Sequence, residues 1–214
     1  MPTLVHMSDS SLSRQAGPIA LAAGASLALV DLARWGLARP TDLVGMMADP
    51  LFQVVNAAYF VTFFGLAVAL VALYGWLDLR AGWFGLIAFL VALAGTLTQG
   101  GNMWFEGFAV PWLAQVAPSV FTAEKTITLQ VGALAAYMLF ALGWILFGIA
   151  VLRTRTVPAV LPIAVIVGGV LGYNSGLPPY GVPLGLALAA LGAGLIRAGR
   201  AAPQPGPVGA QEAR

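Results

Sequence analysis

Residues 86–95 read LIAFLVALAG, and residues 99–111, which follow after three further residues, read QGGNMWFEGFAVP. The first stretch is apolar enough to lie inside a lipid bilayer, where a helix needs roughly 20 apolar residues to cross the hydrocarbon. The second stretch places a glutamine, an asparagine and a glutamate directly at the end of that apolar run. Together they predict a transmembrane helix with polar side chains in its last turns.

The composition of the whole chain is that of a membrane protein. Of its 214 residues, 60% are hydrophobic and 8% are charged, whereas soluble domains carry about a quarter charged residues. Six apolar segments are long enough to be candidate spans. They cover about residues 16–38, 51–76, 82–108, 127–152, 156–173 and 181–197. The sequence therefore predicts an all-α, polytopic bundle of six transmembrane helices.

The positively charged residues predict the orientation of this bundle. With six spans, both termini and the turns at residues 77–81 and 153–155 share one side of the membrane. That side holds seven arginines, and the other side holds Arg34, Arg39 and Lys125. Cytoplasmic loops carry an excess of lysine and arginine. We therefore expect a multi-pass protein of the bacterial inner (cytoplasmic) membrane with both termini in the cytoplasm.

Three further segments are predicted around the spans. Residues 1–14 form an N-terminal cytoplasmic tail, and residues 15–200 form the six-helix domain. Residues 201–214 are rich in Pro, Gly and Ala, so we expect them to be disordered. Residues 109–122 are mostly apolar, uncharged and carry a proline near their start. That composition predicts a short helix lying in the membrane interface.

Polar residues on four of the predicted helices lie at a similar depth, near the outer surface. On the third helix, Gln99, Asn102 and Glu106 fall within about 60° of one another at 100° per residue. The others are Asp31 and Arg34 on the first helix, Gln53 and Asn56 on the second, and Gln130 and Tyr137 on the fourth. Because a polar side chain that faces lipid is costly, we expect these residues to line an outward-opening ligand pocket.

The residue pattern leaves alternatives within this layer. Arg34 can pair with Asp31 or with Glu106, because guanidinium matches carboxylate in a two-point contact, or it can extend to the outer headgroups. The whole layer also permits a purely structural interpretation, since polar residues near helix ends form interhelical hydrogen bonds and interface anchors. A ligand pocket and a packing layer both stay open at this stage.

Small residues four apart predict close helix packing. They are Ala20 and Gly24, Gly168 and Gly172, and Gly181 and Gly185. Such spacing lets helix backbones approach within a bundle or across a dimer face, and we favour contacts inside the bundle. Residues 156–196 contain no acidic or basic side chain, so we expect the last two helices to be a packing element outside the polar site.

The residue types argue against several cofactors and catalysts. Cysteine is absent, and the only histidine, His6, lies in the N-terminal tail, so histidine-ligated haem or chlorophyll within the bilayer is not expected. The only lysine, Lys125, lies in a polar loop, which argues against covalent retinal. A lipid or another non-covalent apolar ligand is compatible with the composition. No metal-ligand spacing or catalytic motif is present, so we expect neither a metal site nor a catalytic residue.

Functional hypotheses of three classes follow. The first is a non-catalytic membrane protein that binds a small ligand in the outward-facing pocket or acts as an accessory subunit of a larger membrane complex. The alternative is a transporter or channel for a small polar solute, a cation or protons, using Asp31, Arg34 and Glu106. A membrane-embedded enzyme is the third. The predicted inner halves of the helices carry almost no polar residues for a transport path, which favours the first hypothesis.

The expected partners follow from the same distribution. Membrane lipid surrounds the spans, and other membrane protein subunits are the macromolecular partners that the first hypothesis allows. The arginines are scattered singly at helix ends rather than gathered on one face, so they indicate topology and not nucleic acid binding.

The stretch WFEGFAVPWLAQVAP resembles a segment of small, uncharacterised bacterial integral membrane proteins in which W-x-E-x-F-x-x-P ends the third helix. The matching residues are Trp104, Glu106, Phe108 and Pro111. The resemblance covers about residues 15–150. It implies a membrane-helix fold and brings no activity with it.

Overall fold

The computed structural model describes residues 11–36, 43–175 and 177–201. The predicted tails therefore fall largely outside the described residues, as do His6 and Arg39. All regular secondary structure in the described ranges is helical, so the predicted all-α class is confirmed. The main helices are α1 (Ala16–Gly36), α2 (Pro50–Leu77), α3 (Gly82–Val116), α4 (Ile127–Thr154), α5 (Val160–Leu171) and α6 (Gly181–Ala201). Short helical turns lie at Ser11–Arg14, Leu43–Ala48, Asp78–Ala81 and Pro118–Phe121.

Five of these helices, all except α5, are long and apolar enough to cross a membrane. Helix α5 has 12 residues, and at 1.5 Å per residue it extends about 18 Å, less than the roughly 30 Å of hydrocarbon. The predicted fifth span began at residue 156, but the helix starts only at Val160. Pro158 explains the delay, since it has no N–H and disfavours helical geometry in the residue before it.

The helices form a closed ring in chain order. Each main helix packs against the next one, and α6 packs against α1. Large apolar side chains fill the interior, among them Leu66 and Leu70 of α2, Trp144 and Phe147 of α4, and Leu188 of α6, all fully buried. The ring brings the first and last helices into direct contact.

The two ends of the ring differ in chemistry. One end, called the arginine end below, holds Arg14, Arg80 and Arg200 around a common cavity with Thr156. The other, called the polar end, holds Asp31, Glu106 and the start of α6, which lies against Asp31. Helix α5 runs from the arginine end toward the polar end, because Gly168 near its end lies against Leu184 near the start of α6.

Helix α3 continues further than the sequence predicts. Instead of ending near residue 108 and giving way to a separate interfacial helix at 109–122, it runs unbroken to Val116. Pro111 has no N–H to donate, and the helix accommodates it with one π-helical stretch, Phe105–Ala109. There the N–H of Val110 bonds to the carbonyl of Phe105, five residues back. This widened turn contains Glu106, and π-bulges are frequent at functional sites.

Glycines set the distance between α1 and α6. A Cβ atom at Gly24 would lie 2.5 Å from the carbonyl oxygen of Gly185, and one at Gly185 would lie 2.7 Å from that of Gly24. A Cβ at Gly168 would likewise lie 2.7 Å from the Cα of Leu184. These small residues therefore lie at contacts inside the bundle.

Replacing Gly24 with alanine should push α1 and α6 apart, because the added methyl group overlaps the backbone of α6. We expect the free energy of unfolding in detergent micelles to fall by about 1–3 kcal/mol. Gly132 on α4 is the matched control, since open space surrounds its Cβ position. Gly132→Ala should be neutral or stabilise the helix by up to about 1 kcal/mol. Equal stability of Gly24→Ala and the wild type would contradict the close α1–α6 contact.

Candidate functional site

Asp31 is fully buried where α1, α2 and α6 meet. Its Oδ1 accepts a hydrogen bond of 2.5 Å from the hydroxyl of Tyr59. Its Oδ2 accepts bonds from the backbone N–H groups of Gly181 at 3.1 Å and Val182 at 3.2 Å. These two donors open α6, where a helix has unpaired N–H groups and a partial positive charge. Asp31 therefore caps the last helix from the first one.

The cap corrects one expectation and adds one residue. Helices α5 and α6 were expected to lie outside the polar site, yet the first turn of α6 binds Asp31 directly. The sequence hides this contact because the donors are main-chain atoms. Tyr59 was missed as well, although it follows Asn56 by three residues and so lies on the same face of α2. That spacing was the signal that could have identified it.

Arg34, one turn after Asp31, connects α1 to both α2 and α3. Its Nη1 lies 3.7 Å from Oε2 of Glu106 and donates a 2.8 Å hydrogen bond to Oδ1 of Asn56. The guanidinium carbon also lies 5.5 Å from the ring centre of Phe52, a cation–π distance. Of the alternatives set out from the sequence, the structure contains the pairing with Glu106.

Glu106 and its neighbours place this ion pair at the surface of the polar end. Asn102 Nδ2 lies 3.5 Å from Oε1 of Glu106, a long hydrogen bond one turn back on α3. Gly107 allows α2 to approach, since a Cβ there would lie 3.0 Å from the backbone nitrogen of Ala57. The side chains of Arg34 and Glu106 keep 15% and 28% of their accessible surface. The pair can therefore be reached from outside the bundle.

Gln99 lies deeper on the same stripe of α3 and is fully buried. Neither its Nε2 nor its Oε1 has a hydrogen-bond partner among the described residues. Each buried polar group left without a partner costs about 1–3 kcal/mol. Such groups are rare in native proteins and often mark a position for water, an ion or another bound group. We call Arg34, Asn56, Gln99, Asn102 and Glu106 the polar cluster.

The remaining predicted residues lie at different distances from this cluster. Tyr137 of α4 is half-buried and close enough to Glu106 to interact with it electrostatically. Gln53 is half-buried on α2, three residues before Asn56. Gln130 does not join the cluster: it is exposed, and its Nε2 donates to the backbone carbonyl of Lys125 at 2.9 Å. The sequence predicts how deep Gln130 lies along α4, but that depth does not decide which way its side chain points around the helix.

No three His, Cys, Asp or Glu side chains of the described residues come together in a way that could hold a metal ion. Comparison of the chain with protein-family models, with curated proteins and with solved structures gives no match. The chemistry of the polar cluster is therefore the basis for a functional proposal.

Replacing Asp31 with alanine should destabilise the protein strongly, because it leaves two N–H groups of α6 and the Tyr59 hydroxyl without an acceptor. Hydrogen bonds to a charged group contribute about 1.5–3 kcal/mol each, so we expect a loss of at least about 3 kcal/mol. Tyr59→Phe should cost less, about 1–2 kcal/mol. The measurement is thermal or denaturant unfolding in detergent.

Glu124→Ala is the control for this series, because Glu124 is an exposed acid in the loop before α4. Surface substitutions of this kind change stability by about 0.5 kcal/mol or less. If Asp31→Ala were no less stable than Glu124→Ala, Asp31 would not be the cap of α6.

Proposed function

We propose that the protein is a six-span protein of the inner (cytoplasmic) membrane that binds a small polar ligand, without catalysis, in an outward-facing polar cluster. The observation that carries the proposal is the buried Gln99 amide, which has no partner among the described residues. The ion pair of Arg34 and Glu106 lies nearer the surface on the same side of α3 and remains partly accessible. A ligand entering past this pair would supply the hydrogen bonds that Gln99 lacks.

The proposed orientation follows from the charged ends. Arginines surround the cavity at one end, and an excess of arginine is typical of the cytoplasmic side. Helix α5 counts as the sixth crossing on this proposal, despite its 12 residues. On this proposal the non-helical residues before and after it complete the passage.

Single cysteines can test this topology, because the chain has none of its own. Cysteines at Glu124 and Leu177 should react with a membrane-impermeant maleimide in intact spheroplasts, since both residues are exposed near the polar end. A cysteine at Arg153 should react only after the membrane is opened. If Leu177→Cys and Arg153→Cys were labelled under the same condition, either both in intact spheroplasts or both only after the membrane is opened, α5 would not cross.

The ligand class follows from the groups that face it. A glutamine amide can donate and accept at once, so it suits a hydroxyl, amide or amine. Asp31 and Glu106 outnumber Arg34 at the polar end, and the carboxylate of Asp31 is already bound by α6. The cluster therefore favours a small neutral or cationic molecule rich in hydrogen-bond donors over an anion.

Transport is the alternative function, and the interior argues against it. The buried polar side chains of the described residues are Asp31, Asn56, Thr62, Thr96, Gln99 and Ser175. Thr62 and Thr96 lie near the middle of α2 and α3, and the buried side chains beyond them toward the arginine end are apolar, such as Leu70 and Leu73. Among the buried described side chains there, only the indole N–H of Trp144 has no hydrogen-bond partner. One such group does not make a path for a polar solute or ion, which favours binding over transport.

An accessory-subunit role is the second candidate, and α4 supports it. The half of α4 nearest the polar end is exposed on most of its circumference. Ile127, Leu129 and Leu134 keep 57–73% of their accessible surface. This half-helix would contact lipid or another membrane protein. A protein that co-purifies in constant ratio, and that is lost when Leu134 is replaced with arginine, would identify the accessory-subunit role.

Gln99→Met should abolish ligand retention while preserving the shape of the side chain. We expect mass spectrometry of small molecules released from protein purified out of its native membrane to show one polar compound for the wild type and none for the variant. Without ligand, the variant should also be more stable than the wild type by about 1 kcal/mol or more, since an unpartnered amide has been removed.

The matched control is Gln115→Met, because Gln115 is exposed near the end of the same helix. It should retain the compound. Glu106→Gln should weaken retention with the fold intact. Identical extracts from the wild type, Gln99→Met and Gln115→Met, or an empty extract from the wild type, would contradict ligand binding at the polar cluster.

A further inference from the structure

A concave site lies at the arginine end, far from the polar cluster. It is a cavity of about 840 Å³ between the start of α1, the end of α2 and the end of α6. Three of the residues that line it are arginines: Arg14 just before α1, Arg80 just after α2 and Arg200 at the end of α6. Its volume falls within the range of about 300–1,000 Å³ that is typical of small-ligand sites.

The cavity is strongly positive. None of its described lining residues is acidic, and none of the three arginines forms an ion pair with a described residue. Asp78 is the nearest acid in sequence to Arg80, and its side chain lies outside the described ones. Three guanidinium groups around one space repel one another, so an anion between them relieves the repulsion. Guanidinium groups also match the geometry of phosphate oxygens.

The remaining wall of the cavity combines apolar side chains with the polar Ser13, Gln15 and Thr156. Trp76 is half-buried at the end of α2, and Leu195 and Ile196 belong to the last turns of α6. Tryptophan is enriched at the membrane interface, and basic pockets between transmembrane helices are suited to phosphate headgroups. A free anion would use only the arginines and the polar side chains beside them, whereas a lipid would also contact the tryptophan and the two aliphatic side chains.

We propose that this cavity binds the phosphate headgroup of an anionic membrane lipid. Arg14, Arg80 and Arg200 hold the phosphate oxygens, and Trp76, Leu195 and Ile196 pack against the glycerol and the first methylene groups. Bound there, the lipid links the ends of α1, α2 and α6 and stabilises the side of the ring where the first and last helices meet. This site is independent of the polar cluster and of any ligand bound there.

The test compares two double variants that remove the same charge from the same end of the bundle. Arg14→Gln/Arg200→Gln removes two arginines from the cavity, whereas Arg153→Gln/Arg197→Gln removes two that do not line it. All four residues are at least partly exposed, so both variants should fold. The probe is dioleoyl phosphatidylglycerol, titrated onto the detergent-solubilised protein and counted by native mass spectrometry, with dioleoyl phosphatidylcholine as the lipid of zero net charge.

We expect the wild type to bind one phosphatidylglycerol in preference to phosphatidylcholine. An arginine near an anionic lipid contributes about fivefold in affinity, so the cavity variant should bind roughly 25-fold more weakly. The control variant should stay within about twofold of the wild type. Equal losses in the two variants would mean diffuse surface attraction and would overturn the site.

A parallel titration with inorganic phosphate distinguishes a lipid from a soluble anion. On the proposal, millimolar phosphate competes weakly and does not displace the bound lipid, because it lacks the apolar contacts. Suppose instead that phosphate binds with the same dependence on Arg14 and Arg200, while phosphatidylglycerol binds no better than phosphatidylcholine. The cavity would then be a site for a soluble phosphate, and the lipid proposal would be wrong.

Discussion

The carboxylate of Asp31, bound to the first turn of α6, is the contact on which the rest of the polar end depends. A bilayer offers no water to a buried charge, so the carboxylate must find donors within the protein. It finds two main-chain N–H groups and the hydroxyl of Tyr59. This contact fixes α1 against α2 and α6, and it directs Arg34, one turn later, toward Asn56 and Glu106.

Hydropathy predicted most helices to within a few residues and failed where backbone hydrogen bonding decides the outcome. Residues 51–76 and 127–152 correspond closely to Pro50–Leu77 and Ile127–Thr154. Helix α5 is shorter than its apolar segment because Pro158 delays its start, and α3 is longer because a π-helical stretch carries it past Pro111. A sum of side-chain hydropathies contains no information about either effect.

The candidate site was predictable in part, for similar reasons. Depth and helical spacing were enough to predict Arg34, Asn56, Asn102 and Glu106, which the structure brings together. The donors that bind Asp31 belong to the main chain of a helix without charged residues in its first turns, so no side-chain pattern indicates them. Gln130 has the predicted depth, but its side chain turns to the backbone of Lys125. The direction in which a side chain points around its helix axis depends on tertiary packing, and the depth of the residue gives no information about that packing.

Each end of the ring has its own chemistry, with an apolar interior between the two ends, and the central claim is that a ligand completes the polar end. A structure of the protein purified from its native membrane, at a resolution that shows ordered water, tests that claim most directly. We expect non-protein density larger than one water molecule, about 2.7–3.2 Å from the amide atoms of Gln99. A Gln99 amide bonded to protein atoms, with no such density beside it, would contradict the account and leave the cluster as helix packing.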